Sequence, residues 1–289
     1  MANYKIEVER GDERKDAVVR EDEIYDWLTN KENAQLCGYE EKPFEFVRKI
    51  TRNVERYLHF AEGRGNDGQT NLAMDSLKRL TGGAFSLHYV LLLAFSNFPK
   101  PLFDHFITQL ESFLFYYIFT KTSTKDLERN FSIWADELRA IGEEADSRRQ
   151  KERLNAFLND RFQNSMSAKD VELSDALKRY TLDGMQKYRT HYLLSKLSQY
   201  VDMAYKGLKI SGSLGEYAGL QIEHILPNNP KEELLADFTV KNPKANYQDC
   251  KIRLGNLTLL EKPINIVASN DFFVAKKVEY AKCKHYLTC

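Results

Sequence analysis

The pattern of apolar residues changes at a Gly- and Ser-rich segment, residues 207–219. Upstream, from about residue 43 to residue 206, apolar residues recur every three or four positions, which is the spacing of one face of an α-helix. Downstream, the apolar runs are short, as in residues 220–226 and 254–260. Runs of this length between turn-forming residues are typical of β-strands. The chain therefore combines a helical pattern with a short strand-containing one.

We predict a mainly α fold in three parts. A multi-helix scaffold domain spans residues 1–206, a joint spans residues 207–219, and a small C-terminal unit, packed on the preceding helices, spans residues 220–289. In that unit Pro227 stops the first strand, a polar loop precedes the second strand, and Pro263 is well placed to open a helix. The order of strand, loop, strand, helix and terminal helix is too short for a doubly wound sheet, and it predicts a compact ββα unit.

Charge and cysteine usage narrow the function classes. The 42 basic and 42 acidic residues give a formal net charge of zero, so any phosphate-binding surface must be a local patch. The four cysteines contain no C-x-x-C pair, which argues against a structural zinc site and a disulfide framework and favours a cytoplasmic location. The most apolar stretch, residues 101–120, is interrupted by charged residues, so we expect a buried helix there and no membrane span.

The first candidate for chemistry is Glu223-His224, within the first predicted strand. A carboxylate supplies an oxygen ligand for Mg²⁺, and an imidazole supplies a base near neutral pH. A single His on a strand is more often a structural residue. Strand alternation also places His224 on the face of Ile222 and Leu226, with Glu223 opposite. Both side chains can serve one site only if the strand ends or bends there.

The second candidate is the run that contains Asn256, followed by Asn265 and Asn270. The amide oxygen of Asn256 is a candidate partner for an imidazole N–H, and Asn265 is a candidate second oxygen ligand. Each of these residues also has a common structural explanation: Asn256 as a turn residue after glycine, Asn265 near a helix start, and Asn270 as a helix N-cap.

Taken together, these residues resemble the HNH (His-Me finger, ββα-metal) nucleases. Glu-His-Ile-x-Pro begins at Glu223, Leu-Gly-Asn-Leu-Thr-Leu-Leu begins at Leu254, and Asn265 follows Asn256 by nine residues. The sequence is more specifically similar to the C-terminal nuclease domain of GmrSD-type restriction systems and SspE-type phage-defence proteins. Its tail matches that family's N…SN..F..K...Y pattern at Asn265, Ser269-Asn270, Phe273, Lys276 and Tyr280. The specific part of the resemblance covers roughly residues 185–289.

This resemblance implies a metal-dependent DNA endonuclease, acting on DNA that includes modified phage DNA, as the effector of an antiphage restriction system. One Mg²⁺ or Mn²⁺ ion is expected, with Glu223 and Asn265 as metal ligands. His224 is the expected general base, and Asn256 the residue that orients it. Two further residues, Asn270 and Lys276, are expected to contact phosphate oxygens.

One departure from the family limits what is carried over. These proteins usually begin with a ParB-like NTPase domain that has a DGQQR-type motif, and Asp67-Gly-Gln69 is too short to match it. We therefore expect an NTPase or sensor domain, or a separate subunit, outside this chain. An alternative function is a helical protein-interaction module whose C-terminal finger is structural or inactive. Nuclease chemistry on RNA is a third possibility.

Overall fold

The computed structural model describes residues 5–8, 15–18 and 23–289. These residues form a mainly α fold, which confirms the predicted fold class. The helices are α1 (Ile24–Thr29), α2 (Lys31–Cys37), α3 (Pro43–Ala61), α4 (Leu72–Thr81), α5 (His88–Ala94), α6 (Lys100–Phe119), α7 (Thr124–Gly142), α8 (Ser147–Phe157), α9 (Asn164–Ser167), α10 (Asp170–Lys178), α11 (Lys187–Lys206), α12 (Glu232–Lys241), α13 (Tyr247–Lys251), α14 (Lys262–Ala268) and α15 (Phe273–Tyr280). The strands are β1 (Lys5–Val8), β2 (Lys15–Val18), β3 (Gln221–His224) and β4 (Leu257–Leu260), paired antiparallel as β1–β2 and β3–β4.

The chain divides into two compact units. The first comprises residues 1–78 and 83–168, and the second comprises residues 79–82 and 169–289. The sequence predicted the joint at residues 207–219, whereas the structure groups α10 and α11 with the C-terminal strands. Helix α11 ends at Lys206, the last residue of the predicted scaffold, because Gly207 takes the left-handed conformation of a helix C-cap (φ 64°).

Helix α6 forms the centre of the first unit. Its predicted burial is confirmed, since Phe106, Leu110 and Phe113 have no exposed surface. Phe113 stacks on Phe162 with ring centroids 4.7 Å apart, and Phe106 stacks on Phe95 at 4.4 Å. Such aromatic contacts add to the stabilisation from apolar burial.

The second unit holds the strands that the sequence predicted. Gln221 pairs with Leu260 and His224 with Leu257 in the β3–β4 register. The predicted helix that Pro263 opens is α14, in whose first turn this proline lies. The predicted polar loop between the strands is wrong in one respect, because it contains α12 and α13.

A small apolar cluster holds this sheet to the last two helices. Leu260 of β4 packs with Ala268 at the end of α14, and with Tyr280 and Cys283 at the end of α15. Ile225, the residue after β3, packs against the same cluster. Burial of these side chains fixes the position of β3 relative to α15, and this matters for the residues that β3 carries.

A buried carboxylate fastens the C-terminal tail to α11. Asp202 accepts hydrogen bonds from the Tyr217 hydroxyl (2.9 Å), from His285 Nδ1 (2.8 Å) and from the Tyr286 backbone N–H (2.7 Å). Burial alone would raise the pKa of Asp202, but the bonds from His285, Tyr286 and Tyr217 hold the pKa below its ordinary value. The charged form of Asp202 is therefore the one that orders the tail.

None of the helices in the described part of the chain has the length and hydropathy needed to cross a bilayer.

Gly82 offers a sharp test of packing within the second unit. Its φ is +58°, and a Cβ added there would lie 2.7 Å from the ring of Tyr188. The Tyr188 hydroxyl donates to the carbonyl of Thr81 (3.1 Å), which keeps the ring from moving aside. We predict that Gly82→Ala lowers the free energy of unfolding by about 2–3 kcal/mol, from backbone strain and overpacking together.

The measurement is chemical denaturation of Gly82→Ala beside Gly83→Ala as a matched control. A Cβ on Gly83 would meet no atom within 4 Å, so its effect should stay within about 1 kcal/mol. Equal unfolding free energies for the two variants would contradict the packing described here.

Candidate active site

Strand β3 presents its two chemical residues differently. Glu223 is buried, with 7% of its surface exposed, whereas His224 is half-buried. This agrees with strand alternation, which points neighbouring side chains to opposite faces. Strand β3 ends at His224, which is the condition that the sequence analysis set for both residues to serve one site, and that joint role stays a prediction.

The imidazole of His224 is held by a backbone carbonyl. His224 Nδ1 lies 3.0 Å from the carbonyl oxygen of Lys251, at the end of α13. A carbonyl oxygen can only accept, so Nδ1 carries the proton of the neutral ring. The lone pair is then on Nε2, to which no described residue is hydrogen-bonded. This is the tautomer that a general base needs.

Asn256 is hydrogen-bonded to the Lys251 carbonyl, which is also the acceptor for His224, and to the segment that follows His224. Its Nδ2 donates to the same Lys251 carbonyl (2.8 Å) and to the Leu226 carbonyl (3.1 Å). Its Oδ1 accepts from the Leu226 N–H (2.6 Å), and its own carbonyl accepts from the Ile225 N–H (2.9 Å). No hydrogen bond joins the Asn256 side chain to His224, and the two side chains share the Lys251 carbonyl as acceptor, so an orienting effect of Asn256 on His224 stays a prediction.

The carboxylate of Glu223 is already paired with a cation. Its Oε1 accepts from Lys276 Nζ (2.6 Å) and from the Tyr280 hydroxyl (2.8 Å). Lys276 also donates to the backbone carbonyl of His224 (2.7 Å). Burial, together with the Glu223 charge, raises the pKa of Tyr280, so this hydroxyl stays protonated and donates.

Two residues predicted to bind phosphate lie in different environments. Lys276 is 1% exposed and paired with Glu223, an environment that does not suit the expected contact with a phosphate oxygen. Asn270 is exposed, as a phosphate contact requires. It does not cap α15, since the N-cap residue of that helix is Phe272.

Asn265, the other predicted metal ligand, pairs with a residue at the start of β3. Asn265 Nδ2 donates to Gln221 Oε1 (2.9 Å), and both side chains are half-buried. Gln221 was not expected to take part in the site, because an isolated glutamine before Ile222 carries no sequence signal. The carbonyl of Lys251 was missed for a similar reason, since any residue type supplies it.

Glu223 and Asn265, the two predicted metal ligands, have different partners. Glu223 accepts from Lys276 and Tyr280 through Oε1, and Asn265 donates to Gln221 through Nδ2. Across residues 23–289, moreover, no group of three or more His, Cys, Asp or Glu side chains is placed to hold a metal ion. A carboxylate neutralised by a buried ammonium attracts a divalent cation less than a free one does.

Comparison with known proteins points to the same part of the chain. Residues 167–288 match the family model of the GmrSD restriction endonucleases, C-terminal domain. No curated protein matches the chain. The second compact unit, which carries β3, β4, α14 and α15, thus resembles a restriction-endonuclease domain, as the sequence motifs predicted.

The Glu223–Lys276 pair generates a stability prediction. Lys276→Met leaves a buried carboxylate without its cation, and breaking a buried ion pair from one side costs about 3–5 kcal/mol. The double variant Glu223→Gln/Lys276→Met removes both charges and keeps an acceptor for Tyr280, so it should be clearly more stable than Lys276→Met alone. Urea denaturation of the two single variants and the double variant gives the coupling free energy. A coupling near zero would show that the pair does not form in solution.

Proposed function

We propose that the second unit is an HNH-type DNA endonuclease that hydrolyses phosphodiester bonds, as the effector part of a GmrSD/SspE-type antiphage restriction system. The observation that carries this proposal is the 3.0 Å contact between His224 Nδ1 and the Lys251 carbonyl, from which we infer that Nδ1 carries the proton and that Nε2 is available as a base. The family likeness of residues 167–288 supports the reaction class.

The residues of this chain account for the attack by water in the hydrolysis. Nε2 of His224 removes a proton from water as the water oxygen forms a bond to phosphorus. The bond from phosphorus to the leaving oxygen breaks, and that oxygen takes a proton from solvent. The imidazolium that forms keeps its Nδ1–H bond to Lys251, which limits rearrangement during the step.

A divalent metal requirement is proposed on the chemistry of the reaction. When bound, Mg²⁺ or Mn²⁺ neutralises the charge that develops on the phosphate and on the leaving oxygen. An ion that uses Glu223 has to compete with Lys276 for this carboxylate, so metal affinity and the ion pair should be linked.

The Glu223–Lys276 ion pair favours a second candidate function, a protein-interaction module in which the C-terminal ββα unit is inactive. In this alternative Glu223, Lys276 and Tyr280 act only as a polar core that holds α15 against β3. The two functions differ in what the free Nε2 of His224 does: it is essential in a nuclease and dispensable in an interaction module.

We predict that the purified chain nicks or cleaves plasmid DNA with Mg²⁺ or Mn²⁺, and that His224→Ala lowers the rate at least about a hundredfold, as expected for loss of a general base. The melting temperature should change little, because His224 is only half-buried. His105→Ala, which removes an exposed histidine of α6, is the control and should cleave normally.

A failure to cleave has to be tested with the proposed NTPase or sensor partner added before it counts against the nuclease. If the residual activity of His224→Ala is proportional to the folded fraction of the variant, His224 has a structural role and is not the general base. An RNA substrate cleaved in preference to DNA would keep the mechanism and correct the substrate.

The metal requirement has its own test. We predict that EDTA abolishes cleavage, and that Mg²⁺ raises the melting temperature of the wild type but not of Glu223→Gln, since ligand binding stabilises the folded state by mass action. Glu232→Gln, at an exposed position of α12, is the matched control. An equal rise in melting temperature for all three proteins would exclude Glu223 as a metal ligand.

A further inference from the structure

An open pocket of about 650 Å³ lies beside β3 within the second unit. It is lined by the first turns of α11, by the start of β3 and by Asn265 of α14. We call it the side pocket; its lining includes Lys187, Tyr188, His191, Gln221, Ile222 and Asn265. The mechanism proposed above assigns it no role.

The walls of the side pocket are fixed by hydrogen bonds. Tyr188 is tied to the Thr81 carbonyl (3.1 Å), and its ring leaves no space for a Cβ on Gly82. His191 Nε2 donates to the carbonyl of Leu220 (3.0 Å), the residue before β3. A ligand would therefore meet a preformed surface, which lowers the entropy lost on binding.

The Gln221–Asn265 pair gives this surface a hydrogen-bonding pattern. Asn265 Nδ2 donates one N–H to Gln221 Oε1, and no described residue is hydrogen-bonded to the amide nitrogen of Gln221 or to the side-chain carbonyl of Asn265. The pair therefore keeps a donor group and an acceptor group for a ligand. If Gln221 were the donor and Asn265 the acceptor in this hydrogen bond, the pair would still keep a donor group and an acceptor group for a ligand. Nucleobase edges present complementary donor–acceptor pairs, such as N6–H and N7 of adenine.

Charge and spacing relate the pocket to the candidate base. Lys187 is exposed and lines the pocket, and a cation of this kind suits a phosphate oxygen. Ile222, also in the lining, precedes His224 by two residues on the same face of β3, a separation of about 7 Å along a strand. A substrate with its scissile phosphate at His224 therefore extends a neighbouring nucleotide toward the pocket.

We propose that the side pocket binds the nucleotide that flanks the scissile phosphate, with the Gln221–Asn265 amides on an edge of its base and Lys187 on its phosphate. This inference rests on the proposed nuclease function and deepens it. It gives the domain a local preference for bases with adjacent donor and acceptor groups.

The test measures binding without cleavage, in the full chain carrying His224→Ala. Fluorescence anisotropy with a labelled duplex oligonucleotide and its base-substituted versions gives affinity and base preference. Adding Gln221→Leu should weaken binding of the preferred oligonucleotide about tenfold and level the differences among bases. Adding Gln221→Glu, which keeps an acceptor for Asn265 and removes the free N–H donor, should level the same differences.

Lys187→Gln should weaken all the oligonucleotides alike and reduce the slope of affinity against salt by about one. Lys209→Gln, another exposed lysine of the second unit, is the control and should leave base preference and affinity unchanged. Melting temperatures of all variants near that of the His224→Ala parent show that the effects are not due to unfolding.

Unchanged affinity and base preference in both Gln221 variants would overturn the pocket proposal. The nuclease function would still stand if the wild type cleaves DNA and His224→Ala does not. If neither protein binds or cleaves any nucleic acid, with the proposed partner present, both proposals are wrong.

Discussion

The candidate site depends above all on one buried amide, that of Asn256. With only 7% of its surface exposed, Asn256 uses three side-chain hydrogen bonds to join Leu226, after β3, to Lys251, at the end of α13. Buried polar groups that lose their partners cost about 1–3 kcal/mol each, so this geometry is strongly favoured over alternatives. The Lys251 carbonyl also accepts from His224, so Asn256 positions the acceptor to which the imidazole is bonded. The hydrogen bonds that fix this part of the fold and the orientation of the candidate base therefore share one acceptor.

A second polar interaction works on the other face of β3. Lys276 joins the Glu223 carboxylate and the His224 carbonyl, so α15 is bonded to both the side chain and the backbone of the strand. A buried pair of this kind adds little net stability, because desolvation offsets most of the attraction, but it disfavours other placements of α15.

Sequence reasoning succeeded where periodicity was strong and failed where one or two residues decided the structure. The helical pattern that begins at about residue 43 is confirmed by α3, which starts at Pro43, and the two strands lie within their predicted runs. Helices α12 and α13 were missed because each buries a single residue, Leu234 or Tyr247, which leaves no apolar stripe to detect.

The predicted site shows the same limit. The likeness to a nuclease family identified His224 and Asn256, but the partners of a carboxylate depend on tertiary packing. One local signal was present: Lys276 and Tyr280 are four residues apart and so share a face of α15, the face that meets Glu223. The Gln221–Asn265 pair joins residues 44 positions apart. No local pattern predicts such a pair, which is why the side pocket, unlike the candidate base His224, became visible only in the folded chain.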